Sequence, residues 1–466
     1  MKLTDGSKAP SLVQTLRWIA EPVRYMETIA DRYPDIFVAR FVDFADNVVF
    51  VHHPQGIQEI LTNDTKQFSA PGELNDILEP LVGDYSVFTL SGRRHRRSRK
   101  LLLPPFHGER MQAYGSLIRN LTEKVMAQLP PGETFLALKA MQNISLEVML
   151  QAVFGFHEGD SPANGDSSME TLSSRYQKIK QLLASISDIF RFPLMASLLL
   201  LPSLQLNLGP WSPWGYFRAM MRQVDELIYA EIALRRQQPN PERTDILSLL
   251  MSARDEAGNP MTDVELRDEL MTLLIAGHET TTSAMSWALY WIYSLPEVRE
   301  KLLAELETIG DKADPTKIAR LPYLGAFCNE TLRINSVGIL TFPRRVEKPT
   351  NLMGFDLEPE TILVGCIYLL HQRQDLYPEP RQFRPERFLE RQFSPYEFMP
   401  FGAGARRCIG AAFAQYEMKL VLASILRYYD LELAEQKPER PERRGVILAP
   451  GRGVKMVMKG QRRPHS

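Results

Sequence analysis

The stretch Phe401-Gly402-Ala403-Gly404-Ala405-Arg406-Arg407-Cys408-Ile409-Gly410 decides how the rest of the chain is read. Three glycines, two arginines and one cysteine stand directly before a helical pattern, Ala411-Ala412-Phe413-Ala414-Gln415-Tyr416-Glu417-Met418-Lys419-Leu420. Glycine adopts backbone angles that a Cβ disfavours, so Gly402 and Gly404 permit a tight loop. Such a loop can aim backbone N–H groups at a neighbouring sulfur. Cys408 then lies at a helix N-terminus, where free N–H groups and the helix dipole favour an anion. The expectation is a lowered pKa and a thiolate ready to bind a metal. Two other readings exist. A lone cysteine is usually a small core residue. A dinucleotide loop is excluded, because Gly-x-Gly-x-x-Gly needs glycine where Arg407 stands.

The spacing Phe-x-x-Gly-x-Arg-x-Cys-x-Gly is filled at every fixed position, by Phe401, Gly404, Arg406, Cys408 and Gly410. This loop resembles the haem-binding loop of the cytochrome P-450 monooxygenases, where one thiolate is the proximal ligand of the iron. Those matches outweigh the reading of Cys408 as a plain core residue. The resemblance implies a mainly α fold with a small β region: a single triangular haem-thiolate monooxygenase domain over 1–466, with a long central helix. It implies β-rich parts near 36–53 and 340–366 and a mobile lid near 170–220. It also implies haem b (iron protoporphyrin IX) as cofactor, with Cys408 as the metal ligand and Phe401 beside it.

Composition sets outer bounds. The hydrophobic fraction is 44% and the charged fraction 24%, those of a soluble globular protein. With a net charge of −1, no field of the whole protein points to nucleic acid or to an acidic partner. Cys328, Cys366 and Cys408 form no disulfide framework and suit a reducing compartment. No Cys-x-x-Cys-His is present, so covalent haem attachment is not expected. Met1 to Pro10 is polar, and no run of about 20 apolar residues follows. The expectation is a cytoplasmic, soluble monomer with at most peripheral membrane contact.

Upstream, Ser11 to Tyr33 reads as one helix, with apolar residues at Leu12, Leu16, Ile19, Val23, Met26 and Ile29. Ile36 to Val51 reads as a strand pair turning at Asp46-Asn47. Ser91 to Lys100, Ser-Gly-Arg-Arg-His-Arg-Arg-Ser-Arg-Lys, reads as a basic helix. His95 and Arg99, four apart, share one face; Arg93, Arg97 and Lys100 fall on the other. The family resemblance makes His95 and Arg99 contacts of the haem propionates, which need charged partners when buried. The outer face is then expected to dock an acidic electron donor. Gly155 to Ser168 reads as a loop. Phe192 to Trp214, broken by Pro202, Pro210 and Pro213, matches the family's lid, and its leucines suit a lipophilic substrate.

Thr262-Asp263-Val264-Glu265 is a capping box. It opens a helix with no breaker before Pro296 except Gly277, about 45–50 Å long. Its middle, Ala276-Gly277-His278-Glu279-Thr280-Thr281, puts a glycine, an acid and hydroxyls where apolar residues pack. Threonine there can bond backward into the helix ladder. In the resembled family this pattern marks the oxygen-binding groove. Ala276 and Gly277 leave room for dioxygen, Thr280 holds a water chain above the iron, and Glu279 relays protons. His278 is read as lying outside the iron shell.

Glu330 and Arg333 are spaced for a helical ion pair, and Arg387 lies in a Pro-Glu-Arg-Phe segment. The resemblance joins the three in a structural network. It also makes Arg344, with Arg345 as the alternative, and Arg406 propionate partners. The chain shows no flavin or nicotinamide loop and too few cysteines for an iron–sulfur cluster. Electrons are therefore expected from a separate ferredoxin and ferredoxin reductase. The expected reaction inserts one atom of dioxygen into a C–H bond of a lipophilic small molecule, a long-chain fatty acid before a sesquiterpene. A non-catalytic haem sensor or carrier is the alternative of another class.

Overall fold

The computed structural model describes residues 6–63, 67–108, 110–155, 167–190, 192–310 and 313–462. Thr262 starts its longest helix. The Glu265 N–H donates to Thr262 Oγ1 at 3.2 Å, and the Thr262 N–H donates to Glu265 Oε2 at 2.8 Å. This reciprocal cap opens Asp263–Ser294, 32 residues long. The helix stops at Leu295, because Pro296 brings no N–H. Leu266, Leu270, Leu274, Met285, Leu289 and Ile292 are buried along it. It packs along Ala137–Phe154, a helix apolar on nearly every side, and against Ala411–Tyr428.

The largest sheet draws strands from both ends of the chain. Its order is Ile36–Phe41, Ala45–Val51, Ile362–Gly365, Arg344–Val346 and Phe68–Ser69. Ala45–Val51 runs parallel to Ile362–Gly365, with Val51 opposite Gly365. Near the C-terminus a hairpin pairs Pro441–Arg444 with Ile447–Pro450. Ser283 Oγ donates to Leu448 O at 2.7 Å, tying this hairpin to the long helix. Among the described residues no helix is long and apolar enough to cross a membrane.

Several local expectations are corrected. Ser11 to Tyr33 is two helices, Ser11–Ala20 and Pro22–Ala30. Pro22 forces Glu21 out of helical geometry, to φ −138° and ψ 65°. The first hairpin turns over 42–44, with Asp43 at φ 63°, instead of at Asp46-Asn47. Most of the loop expected over 155–168 lies outside the described residues. Phe192 to Trp214 is more regular than its prolines suggest. It holds the helix Pro193–Leu200, a short turn Pro202–Leu204 and the start of Pro213–Gln237.

The expected charged network forms on Pro322–Ile334. Arg333 Nε and Nη2 donate to the two Glu330 carboxylate oxygens at 2.7 and 2.9 Å. Arg387 Nε donates to Glu330 Oε1 at 3.1 Å. Arg333 also reaches His371 O and Pro380 O, and Arg387 reaches Pro378 O and Gln382 O. Because these donors are satisfied, three buried charges are tolerable.

Candidate active site

Gly402 and Gly404 take φ of 66° and 70°, the left-handed region a Cβ disfavours. The loop they shape lets the Cys408 N–H donate to Phe401 O at 2.9 Å, just before the helix Ala411–Tyr428. Cys408 faces a cavity of about 580 Å³. Cys408, Phe401, Arg406, His95, Arg99, Arg344, Ala276, Gly277, Glu279 and Thr280 all line it. The expected low pKa is not what this arrangement gives by itself. Burial pushes the Cys408 thiol up, outweighing the Gly410 N–H and the charges of Arg99 and Arg407. A metal ion bound to the sulfur would favour the thiolate. Cys328 and Cys366 are fully buried, and burial pushes both thiols up to about 12.

Cationic groups gather at His95. Burial and then the charges of Arg406, Arg99 and Arg344 push its imidazole down to about 3, so it is neutral. Arg344 is fully buried, with Nη1 donating to Phe342 O at 2.9 Å. Arg345 points to the other side of its strand, where Glu73 and Glu347 pair with it at 3.1 and 3.4 Å. Arg344 is thus the arginine of the cavity. Arg406 spends both Nη atoms on backbone carbonyls: Val87 and Phe88 from one, Ala70 and Leu90 from the other. It pins the chain over 70–90 against the cysteine loop while leaving its charge beside His95.

The long helix supplies the opposite wall chemistry. Thr280 Oγ1 donates to Ala276 O at 2.7 Å, the backward bond expected of a helical threonine. A Cβ on Gly277 would lie 2.7 Å from Met149 Sδ and Cε, so close packing against Ala137–Phe154 already favours glycine there. Gln142 Nε2 donates to Glu279 Oε1 at 3.2 Å. His278, buried, lies 3.3 Å from the same oxygen through Nε2, which is also 3.1 Å from Ser187 Oγ. Burial raises the Glu279 carboxyl, but His278, the Ser187 hydroxyl and Arg444 outweigh it and hold it down to about 2. His278 is therefore a partner of the acid, a role the sequence did not reveal. Gln142 and Ser187 were also missed; each lies more than 90 residues from Glu279 in sequence and carries no motif.

The basic helix, Gly92–Leu102, departs from expectation at two residues, Arg97 and Lys100. Arg97 is not part of a free outer face. Its Nε and Nη1 bind Asp255 and Glu265 at 2.7 and 2.6 Å, and Nη2 donates to Pro260 O at 3.2 Å. Lys100 pairs with Glu256. The segment before the long helix folds over that side, so acids 150 or more residues away neutralise it. Arg93 and Arg96 remain exposed.

These residues suit one chemical group. Among the described residues of the cavity wall, Glu279 is the only acid, facing several guanidiniums. A thiol on one wall, and cations clustered to receive two carboxylates, fit an iron porphyrin, whose iron Cys408 would hold and whose two propionates the cations would neutralise. The sequence matches the family model for cytochrome P450 over residues 7–457. It is 32% identical to cytochrome P450 135B1 of Mycobacterium tuberculosis, over 99% of this chain and 92% of that one. It is 33% identical to cytochrome P450 138 of the same species, over 98% and 97%. The retinoic acid-bound cyanobacterial CYP120A1 superposes with a TM-score of 0.82 at 22% identity, covering 98% of this chain and 99% of that one. The cytochrome P450DA haem domain gives 0.83 at 21%, covering 100% and 99%. The chain belongs to the cytochrome P450 family.

Proposed function

We propose that this protein hydroxylates a lipophilic substrate, in first place a long-chain fatty acid, using dioxygen and electrons from a ferredoxin and its reductase. As a cytochrome P450 it is a haem b monooxygenase, an oxidoreductase. The observation that carries the reading is the meeting of Cys408, Glu279-Thr280 and the cations around His95 on one cavity. Bound there, haem supplies the iron at which dioxygen is reduced. Cys408 would hold the iron, and His95, Arg99, Arg344 and Arg406 would neutralise the propionates. Thr280 and Glu279 would organise water and pass protons into a space otherwise walled by apolar side chains. A carboxyl held near 2 keeps no proton at neutral pH, so Glu279 would hand on protons it receives.

The fatty-acid preference rests on apolar walls, including Phe88, Phe190, Leu199 and Ile275, and on the retinoic acid bound by the cyanobacterial neighbour, a long apolar acid. We read residues 170–220 as the lid of a single domain. Leu204, Leu206, Leu208 and Trp211 are exposed there, as a lid meeting lipid would have them. Free cysteines fit the cytoplasm. For the electron donor we assign a face at Arg93, Arg96 and Arg407, the last close enough for its charge to reach Arg99. Charge reversal at Arg93 and Arg96 is expected to slow reduction by ferredoxin several-fold; an unchanged rate removes that surface.

The deciding experiment is the spectrum of the reduced, haem-loaded protein under carbon monoxide. The thiolate-specific band is expected, and Cys408→Ser should abolish it. Folded, haem-bearing protein without the band would refute the reading.

A further inference from the structure

Arg443 is the cavity residue that the reading above leaves without a task. It lies on the hairpin strand Pro441–Arg444, opposite Leu448, and lines the same cavity as Cys408. Its guanidinium stacks on the Trp18 ring, 4.9 Å from the centroid, and Nη2 donates to Trp18 O at 2.9 Å. Nε is buried and has no hydrogen-bond partner among the described residues. Burial pushes this guanidinium down, to about 10, and no acid among the described residues offsets it. The wall's one described acid, Glu279, is engaged by Gln142 and His278 and feels Arg444 instead. A half-buried guanidinium with a sealed Nε and no counter-charge among the described residues is costly unless an anion in the cavity completes it.

The surroundings say what kind of ligand. Trp18, Ile19, Phe44 and Leu200 also line the cavity and are all apolar. A group completing Arg443 there must carry a negative oxygen on an apolar body. Strand geometry holds the arginine in place, because Ser283 ties Leu448, its cross-strand neighbour, to the long helix.

We propose that Arg443 is the anchor for the carboxylate of a long-chain acid substrate, with its guanidinium donating to one carboxylate oxygen and Trp18 holding the guanidinium plane. This inference deepens the fatty-acid reading and rests on it. The anchored end is fixed between the N-terminal helix and the C-terminal hairpin, and the alkyl chain runs into the cavity toward the Cys408 side. Acids should therefore be oxidised away from the carboxyl group.

The test is calorimetric binding of palmitate, palmitic acid methyl ester and hexadecanol to the full-length, haem-loaded protein. Wild type should bind palmitate at least about tenfold more tightly than the ester or alcohol, the change expected of one charged hydrogen bond. Arg443→Leu should lose that preference, with ester and alcohol affinities unchanged, and Arg443→Lys should keep most of it. Equal affinity of wild type for acid and ester overturns the anchor without any variant. So does an Arg443→Leu protein that still prefers the acid. The two readings fail separately. Hydroxylation of the ester as readily as the acid leaves the oxygenase standing without its anchor. A missing carbon monoxide band removes the oxygenase, while the binding preference still reports on Arg443.

Discussion

Arg344 and Arg345 are neighbours in sequence and opposites in the structure. The alternation of a strand sends Arg344 into the cavity and Arg345 to Glu73, so of the two only Arg344 lines the cavity. Glu279 shows the converse. Its position in the motif was legible, but its setting joins the adjacent His278 to Ser187, Arg444 and the donor Gln142, three residues that no local pattern links to it. Glu279→Gln removes the carboxylate while keeping its size. Product formation is expected to fall by about 10²-fold, measured with ferredoxin, reductase and a fatty acid. Carbon monoxide binding should be unaffected. Turnover within a factor of two of wild type would show that protons enter elsewhere.

Among the elements, those with a cap or motif were read well and those cut by proline were not. The Thr262 box gave the start of the long helix to the residue. By contrast, an apolar rhythm running through Glu21-Pro22 concealed a break, although proline itself announces one. Arg97 was misjudged because the acids that bind it belong to another part of the chain. The network at Glu330 is the clearest element-scale dependence. Glu330→Ala strands two buried guanidiniums, and about 3–5 kcal/mol of stability should be lost. Chemical denaturation, or failure to obtain soluble protein, checks this. A change below 1 kcal/mol would mean that the arginines find other partners.

Across the whole molecule, the pairing of strands at Val51 and Gly365 joins segments about 300 residues apart, a contact no periodicity encodes. The same burial that closes the core sets a pH response. Glu269 and Glu417 are pushed up to about 8 by burial, so the folded state holds protons that the unfolded chain releases above about 4.5. Their contribution is complete below that value and is lost as pH rises toward 8, by about 1.4 kcal/mol per unit for each group. Buried His52 and His371, lowered to about 4 and about 3, act with the opposite sign. Their contribution is complete above about 6.5 and is lost as pH falls toward those values. The melting temperature of the haem-loaded protein should therefore decline from pH 6.5 to 8, and Glu417→Gln should flatten that decline. A flat wild-type profile would contradict it. Finally, two of the three thiols are sealed inside while the third opens onto the cavity. Alkylation in native buffer should count one modified sulfur per molecule before iron porphyrin is added and none afterwards, turning a simple mass measurement into a gauge of how much of a preparation is loaded.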